Sequence, residues 1–136
     1  MTLAAGSALP EFVVSSVDAA RMKLVSALMR DPNPIHFDPE EAQRLGFGQR
    51  TVNQGPLNIA YVLNMLAAAA GGTENIKSLK LRLTGNAFAG DRLMAGGRIV
   101  SVENGRAACE VWLEREGHGR IAEGAAVIII PDAAHG

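Results

Sequence analysis

Asp31 and His36 stand at the two ends of the run Asp31-Pro32-Asn33-Pro34-Ile35-His36, a carboxylate and an imidazole separated by a pair of prolines. Such side chains can together take a proton from water and deliver one elsewhere, given a shared cavity and pKa values near neutrality. The prolines supply rigidity, since each fixes its own φ and restricts the residue before it. A plainer reading has Asp31 capping a turn and His36 donating to a backbone carbonyl. Further along, Gly55 stands where a helix begins. Its N–H, backed by the positive end of the helix dipole, is a candidate donor to an oxyanion, the alternative being a glycine kept at the N-cap for its backbone freedom. Asn53 and Gln54 beside it are candidate caps. Asp38 is spaced to join Asp31 in a metal site, but directly before Pro39 it reads as an N-cap, and no His or Cys cluster supports a metal. His118, between two glycines, and His135, near the end, read as surface groups.

The elements that must hold these residues follow from periodicity. Phe12, Val13 and Val14 form a β-prone run, and Val17, Ala20, Leu24, Val25 and Leu28 then recur at helical spacing, predicting a strand and an amphipathic helix. Pro32 and Pro34 stop that helix and make 30–37 an ordered loop. Asp38, Pro39 and Glu41 occupy N-cap, first-turn and capping-box positions of a short helix ending at Gly46. Gly55 and Pro56 open a longer helix running to Gly71-Gly72. It is apolar on nearly all sides except for Asn58, Tyr61 and Asn64, so other structure must wrap it. Beyond it the period becomes two. Leu79, Leu81 and Leu83 alternate with Lys80, Arg82 and Thr84, and Asn104-Gly105 joins a strand over 93–102 to Ala107, Cys109, Val111 and Leu113. A turn at 117–119 leads to a last strand over 120–130. This order predicts an α+β fold, one domain over 1–136 in which a meander of about four strands makes a curved antiparallel sheet wrapped around a long central helix.

Composition narrows the classes of function. The 136 residues suit one domain, and 48% apolar with 20% charged residues argues for a packed core and against disorder. A net charge of -1 with no basic run makes nucleic acid an unsuitable partner. The lone Cys109 allows no internal disulfide and fits a reducing, cytoplasmic setting. The start lacks the basic residues and apolar run of a signal peptide. The apolar run over 59–70 falls short of the roughly 20 residues of a membrane span, so no membrane association is expected.

The run from Asp31 to His36, the short helix after it, Gly46-Phe47-Gly48 and Gly55 at the head of a long helix together resemble the MaoC-like, (R)-specific enoyl-CoA hydratases. The order of elements matches their hotdog fold. The likeness covers most of the chain and is most specific at Asp31, Asn33, Pro34 and His36. It implies a hydratase, or in reverse a 3-hydroxyacyl thioester dehydratase. Asp31 and His36 would hold the water that adds across the Cα=Cβ bond, and the Gly55 N–H would bind the thioester oxygen. Asn33, Arg30 and Gln54 complete the expected site as substrate-binding residues: Asn33 shapes the loop, and Arg30, directly beside Asp31, can lower its pKa, pair with a ligand carboxylate or phosphate, or point to solvent. Met29, Arg30 and Gln54 depart from the family, where a small hydroxyl residue, a glycine and a histidine are common. The resemblance implies no metal or redox cofactor, an acyl-CoA or acyl carrier protein thioester as substrate, and a homodimer or higher homo-oligomer. Two alternatives remain: a non-catalytic or heteromeric acyl-thioester-binding subunit, and a hotdog acyl-CoA thioesterase.

Overall fold

The computed structural model describes residues 3–30, 33–48 and 50–130. A short strand, β1 (Phe12–Val14), leads into helix α1 (Ala19–Leu28), whose first turn is capped by the Asp18 carboxylate accepting from the Ala20 N–H at 2.8 Å. A single 3-10 turn (Pro34–His36) and helix α2 (Pro39–Arg44) follow. Asp38 caps α2 as expected, accepting from the amides of Glu40 and Glu41. The reciprocal half of the capping box is absent. The Asp38 N–H already goes to the Pro34 carbonyl at 2.7 Å, and Glu41 turns instead to the Arg44 guanidinium. That hydrogen bond holds the Glu41 carboxyl below the usual carboxylate range.

Helix α3 (Gly55–Ala70) lies on a five-stranded antiparallel sheet built from β1, β2 (Ile76–Leu83), β3 (Leu93–Glu103), β4 (Arg106–Arg115) and β5 (Gly119–Ile129). At the β3–β4 hairpin, Glu103 pairs with Arg106 across Asn104 and Gly105, both at positive φ, as the two-residue turn requires. The expected meander is present only in part. Sheet order is β1-β3-β4-β5-β2: β1 occupies the free side of β3, so β2 crosses over and pairs with β5. There Gly124 faces Leu81, and any Cβ at this position would fall on the Lys80 carbonyl oxygen, which makes glycine a condition of the pairing.

Ala107, Cys109, Val111 and Leu113 of β4 point inward as their alternation predicted, meeting Val62, Met65 and Leu66 of α3 in one core cluster. Three expectations are corrected by the structure. In α1 the buried line is Met22 and Ser26, whereas Leu24 and Leu28 are 59% and 73% exposed, because a long-range polar contact described below turns the Met22–Ser26 side inward. Helix α3 buries one face only, a single sheet covering a single side. The row Asn58, Tyr61, Asn64 accordingly passes from buried through half-buried to exposed, each step of three falling about 60° short of a full turn. On β2, an edge strand, Leu79 and Leu81 are half-buried and Leu83 is 43% exposed. Among the described residues no helix is long and apolar enough to cross a membrane.

Candidate functional site

The site is organised by the extended stretch 51–53, which enters α3. On one side it pairs antiparallel with the connection between β2 and β3: Val52 bridges Phe88, the Asn53 N–H donates to the Ala87 carbonyl at 2.8 Å, and the Ala89 N–H donates to that of Thr51 at 3.0 Å. That connection is itself stiffened. The guanidiniums of Arg50 and Arg115 each stack 5.2 Å from the centre of the Phe88 ring, and the Asp91 carboxylate takes Arg50 at 2.6 Å and the Phe88 N–H at 2.9 Å. On its other side the stretch holds the proline-flanked loop. The Val52 N–H donates to the Ile35 carbonyl at 2.8 Å, and the His36 Nδ1 donates to the Val52 carbonyl at 2.7 Å.

That last bond decides the chemistry of the imidazole. A carbonyl oxygen can only accept, so Nδ1 carries the hydrogen, and in the neutral ring Nε2 is the acceptor. The carbonyl bond anticipated as the plain reading of His36 is therefore present, and it orients a buried ring while assigning Nε2 the basic role. The Asn33 side chain caps the 3-10 turn, accepting from the Ile35 N–H at 3.2 Å. Asp31 lies outside the described residues, as do Pro32, Gln49 and His135.

Gly55 is the first residue of α3, at the position whose amide has no partner within a helix. Gln54, immediately before it, is extended at φ -66 and ψ 142 and does not cap the helix with its side chain. The helix therefore presents leading amides without competition from that side chain, the arrangement an anionic oxygen needs. A Cβ on Gly55 would meet the Leu83 Cδ1 at 3.1 Å, so the end of β2 closes over this N-terminus.

Gln54 is turned toward α1. It is 1% exposed, and its Nε2 donates to the Met22 carbonyl at 2.8 Å and the Ser26 Oγ at 2.9 Å, both on α1. Arg30 is exposed and sits just beyond α1 with φ 53, a left-handed conformation unusual for a side chain of this type. This is the position where the resembled family commonly has glycine. Arg30→Gly is expected to raise stability by up to about 1 kcal/mol, the relief of left-handed strain exceeding the added freedom of the unfolded chain. A urea midpoint that moves up at constant slope, with Arg30→Ala unchanged, checks it.

A polar cluster went unnoticed in the sequence. The Asn53 Nδ2 donates to the Asn58 Oδ1 at 2.8 Å and to the Tyr61 hydroxyl at 3.5 Å, within the first two turns of α3. The spacing of Asn58 and Tyr61 was visible; their link to Asn53 was not, since it depends on how the entering strand bends. Thr51 Oγ1, Asn53 Oδ1 and Gln54 Oε1 are buried without a hydrogen-bond partner among the described residues, so unspent acceptors gather at the mouth of α3. His118 is exposed in the β4–β5 turn, and no group of three or more metal-ligating side chains comes together among the described residues.

The sheet and its single long helix define an α+β hotdog fold, and solved structures share it. (R)-hydratase PhaJ1 from Pseudomonas aeruginosa superposes with a TM-score of 0.83 at 22% identity, over 95% of this chain and 83% of that one. The (R)-hydratase from A. caviae involved in PHA biosynthesis gives 0.84 at 22%, over 96% and 99%. A chain of the ChsH1-ChsH2 complex from Mycobacterium tuberculosis gives 0.81 at 22%, over 96% and 100%. Residues 8–116 match the model of the MaoC like domain, and the chain belongs to that family. A search of curated proteins finds no match.

Proposed function

We propose that this chain is a hydro-lyase that adds water reversibly to a trans-2-enoyl-CoA thioester, giving the (R)-3-hydroxyacyl-CoA. The observation that carries the reading is the bond from His36 Nδ1 to the Val52 carbonyl. It fixes a basic imidazole nitrogen on the same short stretch that ends in the glycine-led N-terminus of α3. Family membership and the (R)-hydratase neighbours support it.

In this scheme Asp31 takes a proton from the attacking water as its oxygen bonds to Cβ. The electron pair of the double bond moves toward the thioester, and negative charge develops on the carbonyl oxygen as an enolate. The Gly55 N–H donates to that oxygen where the charge appears, an interaction stronger in the transition state than in the ground state. His36 orients the same water through its acceptor Nε2, and the proton that Asp31 took is returned to Cα, so both groups end the cycle as they began it. Run backwards, the steps dehydrate a 3-hydroxyacyl thioester. Asn33 keeps the loop in shape, Arg30 is the side chain that would pair with a ligand phosphate or carboxylate, and the chemistry needs no metal or redox cofactor. The protein works as a homodimer in the cytoplasm, where Cys109 stays reduced.

A second reading, a subunit that completes its site with a homologous partner, is favoured by Leu24, Leu28 and Met29, which this chain alone leaves exposed. The neighbour from the ChsH1-ChsH2 complex adds to it. The test follows loss of the conjugated enoyl-thioester absorbance with trans-2-enoyl-CoA substrates from short to bulky, alongside a free-thiol assay. Absorbance loss without thiol release supports hydration. Thiol release points to a thioesterase, and no turnover by folded protein overturns the self-sufficient hydratase.

A further inference from the structure

We infer that Gln54 is a positioning residue, a clamp that sets the helix carrying the Asp31 loop against the N-terminus of α3; the inference rests on the hydratase reading for its kinetic consequence. Apart from Met22, whose side chain packs in the core cluster, helix α1 has little else to hold it. It buries only Met22 and Ser26, and Leu24 and Leu28 face outward. What meets the Met22–Ser26 line is the Gln54 amide nitrogen, which donates to the carbonyl of one residue and the hydroxyl of the other, one helical turn apart. Gln54 is also the residue immediately before Gly55.

A single side chain thus spans two parts of the site. Beyond Ser26 the helix has less than one more turn before Met29 and Arg30, so a shift of α1 moves the residues to which Asp31 is joined in the chain. The far end of the loop is tied to the same stretch by the Val52 N–H to Ile35 and by His36 Nδ1 to Val52. The described chain before residues 31–32 is therefore tied through Gln54 and the chain after them through Val52, two residues apart on one backbone. The buried Gln54 Oε1, without a partner among the described residues, argues that packing is not the reason for an amide here. A methionine would fill the space without stranding an oxygen, so the group that matters is the N–H pair.

The test compares wild type with Gln54→Met, which keeps the volume and removes both donors, and with Ser26→Ala, which removes one acceptor. Thermal unfolding checks the fold, steady-state hydration of a trans-2-enoyl-CoA separates kcat from KM, and amide hydrogen exchange follows residues 29–38 against β3–β5. For Gln54→Met the expected result is kcat lower by about tenfold or more with KM within about twofold, because misplacement of a catalytic group costs turnover rather than affinity. Exchange should quicken in 29–38 and stay unchanged in the sheet. Ser26→Ala should give a smaller change of the same pattern, and it decides the matter if Gln54→Met does not fold. Wild-type kcat together with wild-type exchange in a folded variant overturns the clamp. Faster exchange in 29–38 upholds the clamp even where wild type turns over no substrate, and the failure then belongs to the hydratase reading.

Discussion

Asp31→Asn and His36→Gln are each expected to lower kcat/KM for hydration of a trans-2-enoyl-CoA by about 10²–10⁴-fold, the range set by loss of a positioned general acid or base. The loss corresponds to about 3–5 kcal/mol of transition-state stabilisation. Asparagine copies the shape of the aspartate but cannot accept the proton that water must lose. Glutamine at 36 retains an N–H able to donate to the Val52 carbonyl, the contact that ties the loop to the entry of α3, while removing the basic nitrogen. Both variants should therefore melt close to wild type and fail in turnover. Because the two groups act on one water, the double variant should be little worse than either single one. A folded Asp31→Asn protein with unaltered kcat/KM would remove the carboxylate from the mechanism.

Gly55→Pro is expected to cost about 10²–10³-fold in kcat, the usual consequence of deleting one oxyanion donor. Pro56 follows and its ring crowds any Cβ at position 55 in the helical conformation, a cost that a Gly55→Ala control shares. Proline is favoured at the first position of a helix, where the missing N–H breaks no helical bond. The residue before it must be extended, and Gln54 already is, at φ -66 and ψ 142. Gly55→Ala is the control: it keeps the N–H and brings similar crowding against Leu83, a half-exposed side chain free to yield. Its kcat should stay within a few-fold of wild type. Equal losses in the two variants would assign the effect to crowding, and the Gly55 N–H would have no part in the reaction.

What was legible in the sequence was what short-range chemistry decides. Asp38 before Pro39, Asn104-Gly105 between alternating runs, and the inward row of Ala107, Cys109, Val111 and Leu113 are each set by residues within a few positions of one another. So was part of the loop of the site, where Pro34 opens the turn that Asn33 caps. The rest depended on partners distant in sequence. The burial of Ser26 rather than Leu24 follows from an amide at position 54. The departure of β2 from the meander follows from β1 having taken the side of β3. The left-handed turn at Arg30 carries no signature, since arginine does not favour that conformation. The polar cluster of Asn53, Asn58 and Tyr61 was half visible, as a spacing without a partner.

The crossing of β2 to the far side of the sheet also imposes an order on assembly. Hairpins β3–β4 and β4–β5 join neighbours in the chain and can close as soon as their turns form. β2 cannot, because the strand it pairs with among the described residues, β5, follows both β3 and β4 in the chain. As the polypeptide emerges from the ribosome, α3 appears long before the three strands that will bury Val62, Met65 and Leu66. This apolar helix therefore waits uncovered for the part of the chain that shelters it, and a nascent chain halted before β5 exposes both that helix face and an unpaired strand.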